Sequence, residues 1–149
     1  MKVKYLEKFY VAGITTRTNN ETELNEEIAK IPDLWQKYVD DNIESKTFNK
    51  AKSFAMYGLY NKYESDVNSD YDYTVGVEVT KPKNNAITIE KDKYLVFTKK
   101  GELPDVVIDA WHDVWNYFSS DECEYERTYN FDFEKYEEDE QIEIYISVK

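Results

Sequence analysis

The chain has 149 residues, with 31 acidic side chains against 19 basic ones, a net charge of −12 and an isoelectric point near 4.6. That balance excludes a protein that grips a nucleic-acid backbone, because such affinity comes from Lys and Arg displacing counterions from phosphates. A single cysteine, Cys123, excludes an intramolecular disulfide and a cysteine-based metal cluster. With no apolar leader and no run of transmembrane length, the expectation is one cytoplasmic domain, 1–149, with no membrane partner.

Residues 4–17 alternate loosely and predict a first strand. Asn20 with Glu23 three residues on has the spacing of a capping box, and Leu24, Ile28, Ile31, Trp35 and Tyr38 follow at helical intervals. Pro32 falls inside that stripe, so it either kinks the helix or starts a second one at its first turn. Residues 53–64 are aromatic-rich and predict a strand. Its hairpin partner carries Tyr71, Tyr73, Val75, Val77 and Val79 in clean alternation. A further strand is predicted over 87–98. Pro104 opens a helix whose apolar stripe is Val107, Trp111, Val114, Trp115 and Phe118. Two strands close the chain, one at roughly 125–136 with Tyr129, Phe131 and Phe133 on one face, the other at 142–148.

The order is strand–helix–strand–strand, given twice, over approximately 4–80 and 87–149. Leu34-Trp35-Gln36-Lys37-Tyr38 is matched by Val114-Trp115-Asn116-Tyr117-Phe118, and Lys62-Tyr63-Glu64 by Lys135-Tyr136-Glu137. An internal repeat of this kind predicts an α+β fold: two like units about a pseudo-twofold axis, a mainly antiparallel sheet, both helices on one face and a central cleft. Tyrosine dominates the aromatic set, 14 Tyr against 7 Phe and 3 Trp, and Tyr suits rings with one dry end and one end needing a partner.

Several ordered segments resemble the GyrI-like small-molecule-binding domain, also known as the bacterial transcription activator effector-binding domain, in its stand-alone integron-cassette form. They are Ile31-Pro32-Asp33-Leu34-Trp35, Tyr57-Gly58-Leu59-Tyr60 running into Tyr63-Glu64-Ser65-Asp66, Tyr73-Thr74-Val75-Gly76-Val77-Glu78-Val79 and Lys93-Tyr94-Leu95-Val96-Phe97. Trp111 with Trp115, Asp132-Phe133-Glu134-Lys135-Tyr136 and Ile142-Glu143-Ile144-Tyr145-Ile146 complete the set. The resemblance implies a duplicated fold around a cleft, and binding of hydrophobic cations with an acidic strand residue as counter-charge. Glu134 matches that acidic position. Many relatives fuse the domain to a helix-turn-helix, which is not expected here.

On a strand, Asp132, Glu134 and Tyr136 face one way and Phe131 and Phe133 the other. A carboxylate among rings in a cleft would pair with an organic cation, whereas the plain alternative is a solvent-facing glutamate in an acid-rich chain. Trp111 and Trp115 share a helix face that either packs the core or flanks the cleft. Tyr60, Tyr94, Tyr136 and Tyr145 are strand candidates for the cleft lining, and Glu64 is a candidate second acid. His112 lies off the apolar stripe. Asp66-Val67-Asn68-Ser69-Asp70 begins like a calcium loop but has Tyr71 at the sixth position and Val77 at the twelfth, so no metal is expected. No glycine loop would cradle a phosphate, and no cofactor is expected.

The leading expectation is a stand-alone binding or effector-sensing protein for small organic molecules, cationic and aromatic. The first alternative, from the resemblance, is a hydrolase of reactive electrophiles such as cyclopropane-bearing compounds, with Glu134 as general base or nucleophile. The second is an inhibitory module whose negative surface docks a basic protein.

Overall fold

Each alternating segment has one apolar face to bury, and the two helical stripes supply the surfaces that cover one side of the sheet. The computed structural model describes residues 1–52, 55–66, 68–83, 85–137 and 140–149. Its strands are β1 (Lys2–Leu6), β2 (Phe9–Thr18), β3 (Met56–Asn61), β4 (Tyr71–Val79), β5 (Ile87–Ile89), β6 (Asp92–Lys100), β7 (Asp132–Tyr136) and β8 (Gln141–Ser147). The helices are the single turn α1 (Asn20–Glu23), then α2 (Ile31–Asp40) and α3 (Asp105–Ser119). Among the described residues no helix is long and apolar enough to cross a membrane.

The strands form one antiparallel sheet in the order β1-β6-β8-β7-β3-β4-β2-β5. The halves β7-β8-β6 and β3-β4-β2 mirror each other in order, and β3 and β7 pair at the seam. The predicted strands 4–17 and 87–98 each turn out to be two. In both, exposed charged pairs, Glu7-Lys8 and Glu90-Lys91, interrupt the alternation. The exchange is reciprocal: β1 leads into β2 but pairs with β6, while β5 leads into β6 but pairs with β2. Two-residue links therefore join strands near opposite edges, and the sheet curls into a half-barrel.

The helix-bearing face packs Leu34 and Tyr38 of α2 and Val106, Ala110, Trp111 and Val114 of α3 against Val75, Leu95, Phe97, Ile142, Ile144 and Ile146. Both main helices lie on this face, as the duplicated pattern predicts. The other face encloses a second core of Val11, Tyr57, Leu59, Ile89, Tyr94, Val96, Phe133 and Tyr145.

Pro32 sits in the first turn of a separate helix, so the stripe begins at Ile31, and Leu24 and Ile28 are exposed. The cap of α1 is Asn19, whose Oδ1 accepts from Thr22 N at 2.8 Å, rather than Asn20. Glu23 turns forward instead. Its carboxylate accepts from Lys30 N and Ile31 N, both at 3.0 Å, and from Thr18 Oγ1 at 2.6 Å, satisfying backbone donors at the start of α2. Glu23→Ala is accordingly expected to lower unfolding free energy by about 1 kcal/mol in urea titration, the size of a lost helix cap. Residues 125–131, predicted as strand, are largely irregular. Tyr129 adopts a φ of 56°, which no strand tolerates, and only Arg127 bridges to Val148. The start of the predicted strand at 53–54 and the middle of the acidic turn at 138–139 lie outside the described residues.

Candidate functional site

The seam between β3 and β7 sets the geometry of the site. Gly58 stands opposite Glu134, with Met56 opposite Tyr136 and Tyr60 opposite Asp132. This pairing makes Gly58 the pseudo-symmetric counterpart of Glu134, and Tyr60 that of Tyr136. A Cβ on Gly58 would lie 2.1 Å from Tyr73 Oη and 2.5 Å from Glu134 Oε1, so the absent side chain is the space the acid occupies.

Glu134 is 3% exposed. Its Oε1 accepts from Tyr73 Oη at 2.8 Å and Tyr136 Oη at 3.0 Å. Its Oε2 accepts from Trp111 Nε1 at 2.7 Å and Tyr60 Oη at 2.9 Å. Four donors fill the roughly four lone-pair positions that a carboxylate offers. Tyr73 Oη also accepts from Trp35 Nε1 at 3.0 Å, so both helices reach the acid, α3 directly and α2 through one hydroxyl. Burial pushes the Glu134 carboxyl above its ordinary range, while the donors from Trp111, Tyr73, Tyr60 and Tyr136 pull it back down. Burial, and next the charge of Glu134, hold Tyr60, Tyr73 and Tyr136 well above the usual phenol range, so they remain O–H donors.

Above this cluster is a cavity of about 890 Å³, lined mostly by apolar and aromatic side chains. Trp35, Trp111 and Trp115, which are all the tryptophans of the chain, line it. Trp35 meets Tyr136 edge-on at 5.4 Å and Trp111 meets Tyr60 edge-on at 5.3 Å. These matched contacts pair Trp35 with Trp111 across the pseudo-twofold axis. The sequence match of Trp35 with Trp115 is thus one helical turn out of register. Leu24, Leu103, Ile108 and Trp115 are exposed apolar residues at the rim.

Of the predicted residues, Glu134, Trp111, Trp115, Tyr60 and Tyr136 come together in the cavity. Tyr94 and Tyr145 do not. They lie in the opposite core, where Tyr145 stacks on Phe133 at 4.4 Å and lines a smaller hollow of about 300 Å³. Strand alternation forces this, because Leu95 and Phe97, like Ile144 and Ile146, take the helix-bearing face. Glu64 is also outside the cavity, exposed in the bend after β3. Tyr73, Trp35, Met56 and Arg127 were not predicted. The register Tyr60↔Tyr73 is the signal that locates Tyr73. His112 is exposed, and among the described residues no group of three or more His, Cys, Asp or Glu could hold a metal.

Known proteins share the family and the fold. The Vibrio cholerae mobile-metagenome integron cassette protein VCH_CASS2 is 34% identical, with a TM-score of 0.85 over 99% of this chain and 95% of that one. SAV2435, solved bound to tetraphenylphosphonium, shares the fold at 20% identity, with a TM-score of 0.78 over 99% of this chain and 93% of that one. YobU of Bacillus subtilis (strain 168), named as a candidate transcriptional regulator, is 26% identical over 159 residues, spanning 99% of this chain and 96% of its own length. The chain matches over residues 2–148, and therefore belongs to, the Cass2 family of integron-associated effector binding proteins.

Proposed function

We propose that this protein binds lipophilic organic cations bearing aromatic groups in the cavity over Glu134, acting as an effector-binding protein. The observation that carries this reading is one buried carboxylate, held by four donors, at the floor of an aromatic cavity. The donors stabilise the anion where water cannot reach it, and the ring faces add attraction for the same cation. Since its lone pairs are occupied, Glu134 acts on a ligand through its field and needs no N–H donor from it. The same saturation argues against proton abstraction by Glu134, which favours binding over hydrolysis. The tetraphenylphosphonium bound to SAV2435 has the expected chemistry: a delocalised cation without donors, wrapped in phenyl rings.

Titration of the protein with tetraphenylphosphonium is expected to quench tryptophan emission with micromolar affinity, about 8 kcal/mol. All three tryptophans line the cavity, so a bound ligand reports through each. Unchanged emission and an unchanged melting temperature across a panel of lipophilic cations would overturn the proposal.

A further inference from the structure

Three of the residues lining the large cavity carry charge: Glu23, Arg127 and Glu134. Arg127 is already balanced, since its Nη2 lies 2.7 Å from Oδ2 of the fully buried Asp132. Among the described residues neither Glu23 nor Glu134 has a Lys, Arg or His within 4.0 Å. The cavity wall therefore holds two acids that no basic side chain answers. The sequence offers Glu64 as a second acid, but the one that lines the cavity with Glu134 is Glu23.

Glu23 is partly buried, at the end of the single turn α1. Like Glu134, it is held by neutral donors alone: Thr18 Oγ1 at 2.6 Å, Lys30 N at 3.0 Å and Ile31 N at 3.0 Å. The two backbone donors come from the start of α2, where the helix dipole favours a negative charge. No donor is shared with Glu134, so the two acids are separate stations. The rings of Tyr60 and Tyr71 connect them. Tyr60 donates to Glu134, and its ring centre lies 5.1 Å from that of Tyr71. Burial, then the charges of Glu23 and Glu134, push the Tyr71 phenol above its usual range, so this one cavity residue feels both acids. Around Glu23 the wall is apolar, with Leu24, Ile31 and Pro32.

We infer that Glu23 is a second counter-charge of the cavity, and that the protein prefers lipophilic dications. Such a ligand carries a cationic aromatic group over Glu134, an apolar spacer, and a second cationic group towards Glu23. This rests on the reading of Glu134 as the first counter-charge. A bulky monocation balances one acid but strips water from the other, which is left to face apolar ligand surface at a cost. A second positive charge on the ligand removes that cost and adds attraction.

The test uses triphenylphosphonium salts with alkane spacers of increasing length, each made with two ends: trimethylammonium, or its uncharged isostere, a tert-butyl group. Both are titrated by tryptophan emission and calorimetry at physiological ionic strength, where diffuse attraction to the acidic surface is screened. At a preferred spacer length the trimethylammonium end is expected to bind about fivefold more tightly than the tert-butyl end, although the latter is more hydrophobic. The readout is the ratio of the two affinities. In Glu23→Gln that ratio should fall to near unity, while in Glu21→Gln, an exposed acid outside the cavity, it should remain. Three results would each overturn the inference: no trimethylammonium advantage at any length, an advantage that survives in Glu23→Gln, or one lost equally in Glu21→Gln. If the tert-butyl salts themselves fail to bind, the reading of Glu134 falls and this one with it. If they bind and no dication preference appears, only the role of Glu23 is lost. Glu23→Gln removes one oxygen of a helix cap, so its melting curve is checked first. Should it not fold, spacer dependence in the wild type decides: an advantage peaked at one length supports a second fixed charge, and the same advantage at every length overturns it.

Discussion

Glu134→Gln is expected to weaken tetraphenylphosphonium binding by about 5- to 150-fold, or about 1–3 kcal/mol. Two unit charges roughly 6 Å apart at an effective dielectric near 20 interact by about 3 kcal/mol, which sets the upper end. The amide can keep the local structure. Trp111 Nε1 only donates, so the amide oxygen must take the place of Oε2, where Tyr60 also donates. The amide nitrogen then faces Tyr73 and Tyr136, whose hydroxyls rotate to accept. What the substitution removes is charge. Glu137→Gln, on an exposed residue, should change affinity less than twofold, because water and salt screen it. Glu138, outside the described residues, is expected to behave likewise. Equal small losses at all three positions would mean that net charge matters and the site does not.

The pH dependence separates the same ideas. Burial raises the Glu134 carboxyl above its unfolded range, so the folded state holds this proton more tightly than the unfolded chain does. That contribution to stability is complete below the ordinary carboxylate range and is lost as pH rises through the raised value. Cation binding runs the opposite way and grows over the same window, since only the ionised acid attracts. Wild type should therefore lose stability relative to Glu134→Gln as pH climbs from about 4 towards neutrality, while gaining affinity for tetraphenylphosphonium. An affinity that stays flat with pH in the wild type would place the counter-charge elsewhere.

Much of this arrangement is legible in the sequence, because period-two alternation decides faces. Phe133 and Glu134 are neighbours on a strand and must point to opposite sides, which puts the acid with Asp132 and Tyr136. The assignment of Tyr94 and Tyr145 to the cleft fails by the same rule applied incompletely. Ile142, Ile144 and Ile146 form the face that packs on the helices, so Tyr145 between them has to face away. Arg127 could not be found this way. It lies in an irregular segment with one bridge to Val148, and only tertiary structure brings it to Asp132. The swapped edges were hidden for a related reason: Glu7-Lys8 and Glu90-Lys91 mark breaks in alternation, but pairing partners depend on how the whole sheet curls.

Gly58→Ala is expected to cost about 1–3 kcal/mol of stability and to abolish high-affinity cation binding together. Adding a methyl in a strand ordinarily helps, by roughly 0.4–1 kcal/mol, because alanine has less freedom to lose on folding. Here that gain is outweighed. The new Cβ would sit 2.1 Å from Tyr73 Oη and 2.5 Å from Glu134 Oε1, far inside contact distance. Neither group can move freely. Tyr73 is fully buried and bonded at its hydroxyl to both Trp35 and Glu134, and Glu134 is held by four donors. Relief must come from breaking hydrogen bonds around a buried acid or from parting β3 and β7 at the seam. Either change disturbs the carboxylate that the ligand answers to. Urea titration measures the first effect and tetraphenylphosphonium titration the second. A Gly58→Ala variant of wild-type stability and affinity would show that the seam yields more easily than its packing implies.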